Sequence, residues 1–376
     1  MATAPTVRPM RRGLRASRRG ANLPTPTLLP SVPLQRDNES QAARSSSGCT
    51  ESPAHLVGIA RLAASSPLAG AKRGAEYFLL PVRSILNRCD SKEVPFAWTV
   101  NPYRGCEFGC HYCYARYTHE FMELDGADFE RKIFVKENAG PLAGRDLSKE
   151  AVFGEHIAIG TATDPYQPAE REFKTTRSIL EQMALRKGLS VSITTESDRV
   201  LDDLDLLRRI AEQSTLFVNL SLTTLRTRLA RALEPRAPRP DLRIAAVRKL
   251  RDAGVMAGVL AVPVLPGLTD SDAELDALAR ASRDAGAQWF GVRALFLMSS
   301  SLKQFLPFLG KRFPRLVQQY REWYGNGGYA PEAYRHELAE RVQRLRRKYG
   351  LNAMPVAKDY ELPGKQLCLA LGPASG

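Results

Sequence analysis

LSVSITTESDRVLDDLDLLRRIAEQSTLFVNLSL, residues 189–222, reads as a strand, a helix and a second strand in direct succession. Leu189–Thr195 is rich in β-branched residues. Leu216–Leu222 repeats that texture after an amphipathic stretch, Leu201–Gln213. Strands so evenly apolar need cover on both faces, which parallel strands receive from their crossover helices. The rhythm continues in both directions. Toward the N-terminus, Phe96–Arg104 reads as a strand running into a loop, and a helix is expected over Tyr112–Glu123. His156–Thr161 is a short apolar run, and Thr175–Lys187 has helical spacing, with threonines at its start and Gly188 behind it. Toward the C-terminus, Asp241–Ala253 is a helix stopped by Gly254, and Val255–Leu265 is the most apolar strand. Ser271–Ala285 opens on a Ser-x-x-Glu pair, Ser271 and Glu274, before a sixth strand at Trp289–Leu297. Six β-α units predict an α/β fold with parallel strands. The count suits a partial barrel or an open doubly wound sheet, and periodicity does not choose between them.

The chain has 376 residues, 44% of them hydrophobic and 25% charged, enough apolar content for a packed core. No run approaches the roughly 18 apolar residues a membrane span needs, so no membrane partner is expected and a cytoplasmic location is. Net charge is +14, and +6 of it comes from residues 1–70, which hold nine Arg and no Lys against Asp37, Glu39 and Glu51. That segment mixes Arg, Ser, Pro and Ala without apolar periodicity and reads as a disordered basic tail. The Arg bias, 41 Arg to 13 Lys, runs through the whole chain, which favours coding bias over a targeting peptide. The expected organisation is a tail over 1–70, an α/β core over 71–300, and a helical extension over 301–376 that packs on the core.

The chemistry gathers in Asn101-Pro-Tyr-Arg-Gly-Cys106-Glu-Phe-Gly-Cys110-His-Tyr-Cys113-Tyr-Ala-Arg116, where three of the six cysteines fall within eight residues. Thiolates are soft ligands suited to zinc or iron–sulfur clusters. Three on one tight loop can hold three corners of a cubane and leave one iron open to a substrate or cofactor. Zinc would need His111 or His119 as a fourth ligand. Cys49, Cys89 and Cys368 lie apart from the loop in sequence and read as buried or idle thiols.

C-x3-C-x2-C with Tyr112 before its last cysteine resembles the signature of radical S-adenosylmethionine (SAM) enzymes. The wider string, with TDPYQPAE at 163–170 and LEPRAPRP at 233–240, is similar to the subfamily related to spore photoproduct lyase, often labelled DNA repair photolyase-like. The resemblance implies a partial (β/α)6 TIM-like barrel. It implies a [4Fe–4S] cluster on Cys106, Cys110 and Cys113, and SAM cleaved reductively to a 5′-deoxyadenosyl radical. It also implies an external one-electron reductant such as flavodoxin or ferredoxin, a lyase-like activity, and nucleic acid as a candidate substrate. Tyr112 would pack near the adenine.

Further candidates for cofactor binding follow from strand ends: Thr161 and Asp164 after the second strand, Thr194 and Glu196 after the third, Asn219 and Ser221 on the fourth. Ser221 resembles a serine that contacts the SAM carboxylate in relatives. For Thr161, Thr194 and Asn219 the competing reading is capping or ladder-end bonding, and Asp164 before Pro165 could simply start a turn. Glu234 and Arg236 are either an ion pair or substrate-facing. His111 and His119 read as helix surface. The alternative function is a non-enzymatic iron–sulfur protein that binds nucleic acid or transfers electrons.

Two positions depart from the relatives. Ala158–Asp164 holds no cysteine where spore photoproduct lyase carries its hydrogen donor. Thr195-Glu196-Ser197 stands where the common string is Thr-Lys-Ser. Arg199, Arg226 and Arg236 are the expected compensating cations for Glu196.

Overall fold

The computed structural model describes residues 56–72, 74–91, 94–325 and 328–355. The elements below all belong to the unit formed by Ser40–Asp90 with Pro95–Gly376. Eleven strands occur among the described residues: β1 (Leu68–Lys72), β2 (Ala75–Leu80), β3 (Leu86–Arg88), β4 (Trp98–Val100), β5 (Tyr103–Arg104), β6 (Lys132–Lys136), β7 (His156–Ile159), β8 (Ser190–Thr195), β9 (Thr215–Ser221), β10 (Met256–Val264) and β11 (Phe290–Ala294).

The main sheet runs β3-β4-β7-β8-β9-β10-β11. From β4 to β11 every neighbour is parallel, and β3 is an antiparallel edge. Spatial order therefore follows chain order with no reversal. A doubly wound sheet has a switch point where the order turns back; this sheet has none, and β11 and β4 are not paired with each other. It is a partial (β/α)6 barrel. Leu216, Val218 and Leu220 of β9 point outward to the helices and are fully buried in the largest apolar cluster. The alternate residues point inward, where Trp289 Nε1 donates to Asn219 Oδ1 at 2.9 Å and Phe217 meets the Trp289 ring edge-on.

The six expected strands are present, and the helices between them match closely: Thr175–Met183, Leu204–Gln213, Pro240–Asp252 and Asp272–Asp284. Ser271 caps the last by accepting from Glu274 N. Four expectations need correction. The strand expected over Phe96–Arg104 is divided by Pro102, which has no N–H to give a ladder. Its first half is β4 of the barrel, and its second half is β5 of a separate sheet, β1-β2-β6-β5. The helix expected over Tyr112–Glu123 is only a 3-10 turn at Tyr114–Arg116 and one helical turn at Tyr117–Glu120, because the chain is still closing the cysteine loop. Within the stretch expected as a tail, Gly58–Ser65 is a helix and β1 follows; residues 1–55 lie outside those described. Finally, β6 and the helix Ala139–Asp146 fall in a stretch to which no element was assigned.

After β11 the chain is helical as expected: Ser299–Arg312, Val317–Tyr324 and Glu332–Tyr349. Phe305, Leu309, Tyr320 and Tyr324 pack with Cys106, Phe108, Cys110 and Tyr112 in one buried cluster. The final helix crosses to Asp272–Asp284, where Lys348 and Tyr349 both reach Asp276. Among the described residues no helix is long and apolar enough to cross a membrane.

Candidate active site around the cysteine loop

The loop leaves β5 through Gly105, whose φ of +85° is open to glycine, and a Cβ there would meet the Lys132 and Phe129 carbonyl oxygens at 2.8 Å. Cys106 N then donates to Phe129 O at 3.0 Å. Gly109, also at positive φ, turns the chain toward Cys110, and Cys113 N closes the turn on Cys110 O at 3.2 Å. Five outside anchors fix the loop: Arg116 donates to Cys110 O, His111 N to Leu233 O, Ser301 Oγ to Cys113 O, Glu107 N to Gln167 Oε1, and Arg236 N to Phe108 O.

All three thiols are free, Cys106 and Cys110 buried and Cys113 half-buried. Burial raises the pKa of each thiol, with nearby acids adding to it at Cys106 and Cys110. Among the described residues no three His, Cys, Asp or Glu side chains converge on one point as a single metal ion requires. A Cys₃His zinc site needs a histidine turned toward the three thiols, whereas three thiolates alone serve a cubane. Neither histidine is turned toward a ligand role or lies on an open helix surface. His111 is half-buried and stacks on Phe308 at 4.3 Å, and His119 is fully buried with Nε2 2.9 Å from Lys132 O. The donor set fits a cubane.

Beneath the loop lies a buried polar network. Tyr112 OH donates to Glu234 Oε1 at 2.5 Å and lies 3.0 Å from Thr223 Oγ1, which itself donates to the same carboxylate oxygen. The other oxygen of Glu234 pairs with Arg243 at 2.5 Å, both side chains being 1% exposed. Arg243 also donates to the carbonyls of Ser221 and Pro238. Glu234 thus pairs with Arg243, not Arg236. Arg236 is exposed and lies against the outer face of the loop at Gly109.

Glu196 projects from the end of β8 to 3.2 Å from Cys110 Sγ. Burial, then the Glu234 charge, pushes its carboxyl up to about 8. None of the three expected arginines offsets it. Arg199 pairs with Asp202, Arg226 with Glu274, and Arg236 covers the loop. Arg243 is the cation whose field reaches Glu196, and its donors are already engaged.

The other strand-end candidates line the same end of the barrel with different degrees of freedom. Asp164 accepts from Thr195 Oγ1, Glu196 N and Tyr166 N, so it both starts a turn and ties β7 to β8. Thr161 is held by Asn101 Nδ2 at 3.0 Å, and its carbonyl receives Tyr114 OH. Asn219 sits fully buried between Thr194 and Trp289, and Ser221 Oγ donates to Val262 O. Arg243 and Thr223 were absent from the sequence-derived set. Arg243 falls on the same helix face as Ala246, Val247 and Leu250, a charged residue on an apolar stripe, and that is the signal that marks it.

A sequence model described as the radical SAM superfamily matches residues 100–279. Uncharacterized proteins of Mycobacterium tuberculosis and Mycobacterium bovis are 38% identical over 271 residues, covering 72% of this chain and 79% of theirs. One from Methanocaldococcus jannaschii is 32% identical over 46% of this chain and 62% of its own. Among solved structures, a spore photoproduct lyase mutant superposes with a TM-score of 0.55 at 16% identity, covering 73% of this chain and 79% of that one. A second mutant of that protein, with bound AdoMet and dinucleoside spore photoproduct, gives 0.53 at 17% identity over 82% and 85%. At such identities the structural likeness establishes the shared fold.

Proposed function

The chain belongs to the radical SAM superfamily, and from that premise we propose that Cys106, Cys110 and Cys113 hold a [4Fe–4S] cluster at which the enzyme cleaves S-adenosylmethionine reductively. The observation that carries this reading is the placement of three free, largely buried thiols on one loop at the C-terminal ends of an open parallel sheet, where barrel sites form. When bound, the cluster supplies the electron that breaks a carbon–sulfur bond of SAM and releases a 5′-deoxyadenosyl radical. The chain's own residues hold and shield that chemistry. Tyr112, braced by Glu234 and Thr223, fixes the loop against the barrel. Thr161, Thr194, Glu196 and Ser221 offer polar contacts to a bound cofactor, while Asp164 and Asn219 position the backbone and inner wall that carry them. Phe305 and Leu309 cover the loop from outside and exclude water. An external one-electron reductant such as flavodoxin or ferredoxin is required, and a cytoplasmic setting suits it.

For the substrate we favour nucleic acid. Tyr114 is exposed beside Thr161 and sits within a row of rings: Tyr117 lies 6.5 Å from it on one side and Phe296 6.4 Å on the other, with Tyr329 4.5 Å beyond Phe296. Aromatic rows beside positive charge are platforms on which bases stack, and the net charge of +14 supports the same reading. The spore photoproduct lyase structure that carries a dinucleoside lends it further support. With no cysteine in Ala158–Asp164, hydrogen return must use a different group from that enzyme's.

Anaerobic reconstitution tests the cluster. The parent should bind about four irons with a broad thiolate-to-iron band. Alanine at Cys106, Cys110 or Cys113 should remove most of it, and Cys89→Ala should not. A protein that takes up one zinc and no iron would end this reading. Formation of 5′-deoxyadenosine with dithionite tests the cleavage itself.

A further inference from the structure

Outside the cysteine loop, Arg104 and Lys136 share one face of the second sheet with a third cation, Lys132, and of the three only Lys132 has an acid beside it, Asp128. β5 pairs with β6 so that Arg104 lies opposite Phe134 and Lys136 N bonds to Pro102 O. Lys136 is therefore the diagonal neighbour of Arg104 on the same face, a separation of roughly 7–8 Å that long side chains bridge. Lys136 is 6% exposed and Arg104 is half-buried. Neither makes an ion pair or side-chain hydrogen bond among the described residues.

The groups closest to the pair are neutral, and the acids on this side of the sheet, Glu76 and Asp128, both stand at Lys132, the far end of β6. Tyr117 is the side chain whose charge Arg104 senses, and its phenol is pushed up by burial. His119 is held down to about 4, chiefly by burial, so it carries no charge at neutral pH. Phe134 lies 6.0 Å from His119 and fills the floor between them. The Cys89 thiol lies close enough to Tyr117 to be felt by it. Lys136 itself is pulled down to about 7, by burial first and by Arg104 second, with no carboxylate opposing. Burying one unpaired charge is costly, and placing two together compounds the cost. Folds retain such an arrangement where a ligand supplies the missing charge.

We propose that Arg104 and Lys136 form an oxyanion-binding pocket that takes a phosphate group. The guanidinium offers a planar fork and the ammonium a point charge, and together they match a phosphate's two negative charges. Arg104, Gly105 and Cys106 are consecutive, so a ligand held here is anchored at the root of the cysteine loop. Free phosphate, a small phosphorylated ligand and a nucleic-acid phosphodiester share this chemistry.

The full-length protein, its Lys136→Met variant and its Lys136→Arg variant are titrated with inorganic phosphate at constant ionic strength, and thermal unfolding is followed. Parent and Lys136→Arg should gain several degrees in Tm as phosphate rises, and Lys136→Met should gain none. Without phosphate, Lys136→Met should melt higher than the parent, because it sheds an unbalanced buried charge. A lower phosphate-free Tm for Lys136→Met would mean that Lys136 already has a partner and would overturn the proposal. So would equal phosphate responses in parent and Lys136→Met, or no response in the parent. A short single-stranded oligonucleotide is then added in competition with phosphate. Displacement by the oligonucleotide identifies a nucleic-acid backbone as the source, and failure to displace identifies a small phosphorylated ligand. None of these readouts depends on the iron–sulfur cluster.

Discussion

Glu196 places a carboxyl 3.2 Å from the Sγ of Cys110. Two full negative charges about 4 Å apart repel by about 4 kcal/mol at an effective dielectric of 20. A thiolate ligand at Cys110 and an ionised Glu196 in this pose therefore oppose each other. Burial and the Glu234 charge raise the Glu196 carboxyl to about 8, so near neutral pH it is mostly protonated and is able to donate to a Cys110 thiolate rather than repel it. Glu196→Gln preserves the donor and removes the charge. After anaerobic reconstitution it should retain or exceed the parent's iron content, measured per chain. Loss of more than half the iron would show that the carboxylate itself helps hold the metal. Sequence alone exposed the unusual residue, since a glutamate in a Thr-x-Ser string is plain to see. It did not expose the remedy, because Arg226 is taken up by Glu274, 48 residues away and brought close only by the fold, while Arg199 turns to Asp202 three residues on.

The first rung between β7 and β8 belongs to His156, whose ring bridges Ser190 Oγ at 2.8 Å and Ser192 Oγ at 2.9 Å. Burial holds its pKa down to about 4, and His119 behaves alike. The folded protein keeps both rings neutral, while unfolded histidine titrates near 6.5. Between those values the unfolded chain binds more protons, so stability is full above about pH 6.5 and is lost as pH falls toward 4. At about 1.4 kcal/mol per unit the loss is about 3 kcal/mol per ring. The urea midpoint should therefore drop between pH 7 and pH 5, and His156→Gln should remove about half of that drop. An unchanged drop in the variant would assign the effect elsewhere. At this scale the strands and helices were readable because parallel strands buried on both faces leave unbroken apolar runs, as in Met256–Val264. β6 was harder: Lys132 and Lys136 bracket three apolar residues, and the burial of Lys136 comes from the sheet around it, which short-range pattern does not contain. The division at Pro102 was visible as a proline, but its consequence, two sheets instead of one, depends on β6.

The whole molecule brings its last third back onto its first chemical feature. Ser301 Oγ holds the Cys113 carbonyl at 2.8 Å, Phe308 stacks on His111, and Phe305 lies fully buried in the cluster that contains Cys106 and Cys110. The helix Ser299–Arg312 is thus a wall of the site as well as an extension of the barrel. Sequence spacing gave its helicity but not its address, which depends on where β11 delivers the chain. Truncating Phe305 separates the two roles of this wall. Removing a fully buried phenylalanine costs about 3–5 kcal/mol in transfer and cavity terms, so Phe305→Ala should lower Tm by several degrees. The barrel core, a separate apolar cluster built on β4 and β7–β11, should keep its secondary structure. The cavity opens toward the thiols, and water and oxygen reach a cluster more easily through a thinned wall. In air, the visible band of reconstituted Phe305→Ala should therefore fade several-fold faster than that of the parent. Ile210→Ala, a change of similar kind on the far side of the barrel where Ile210 is fully buried, should lower Tm without hastening that fading. If both variants bleach alike, the wall protects only through global stability. If Phe305→Ala alone bleaches fast, the C-terminal helices are part of the active site.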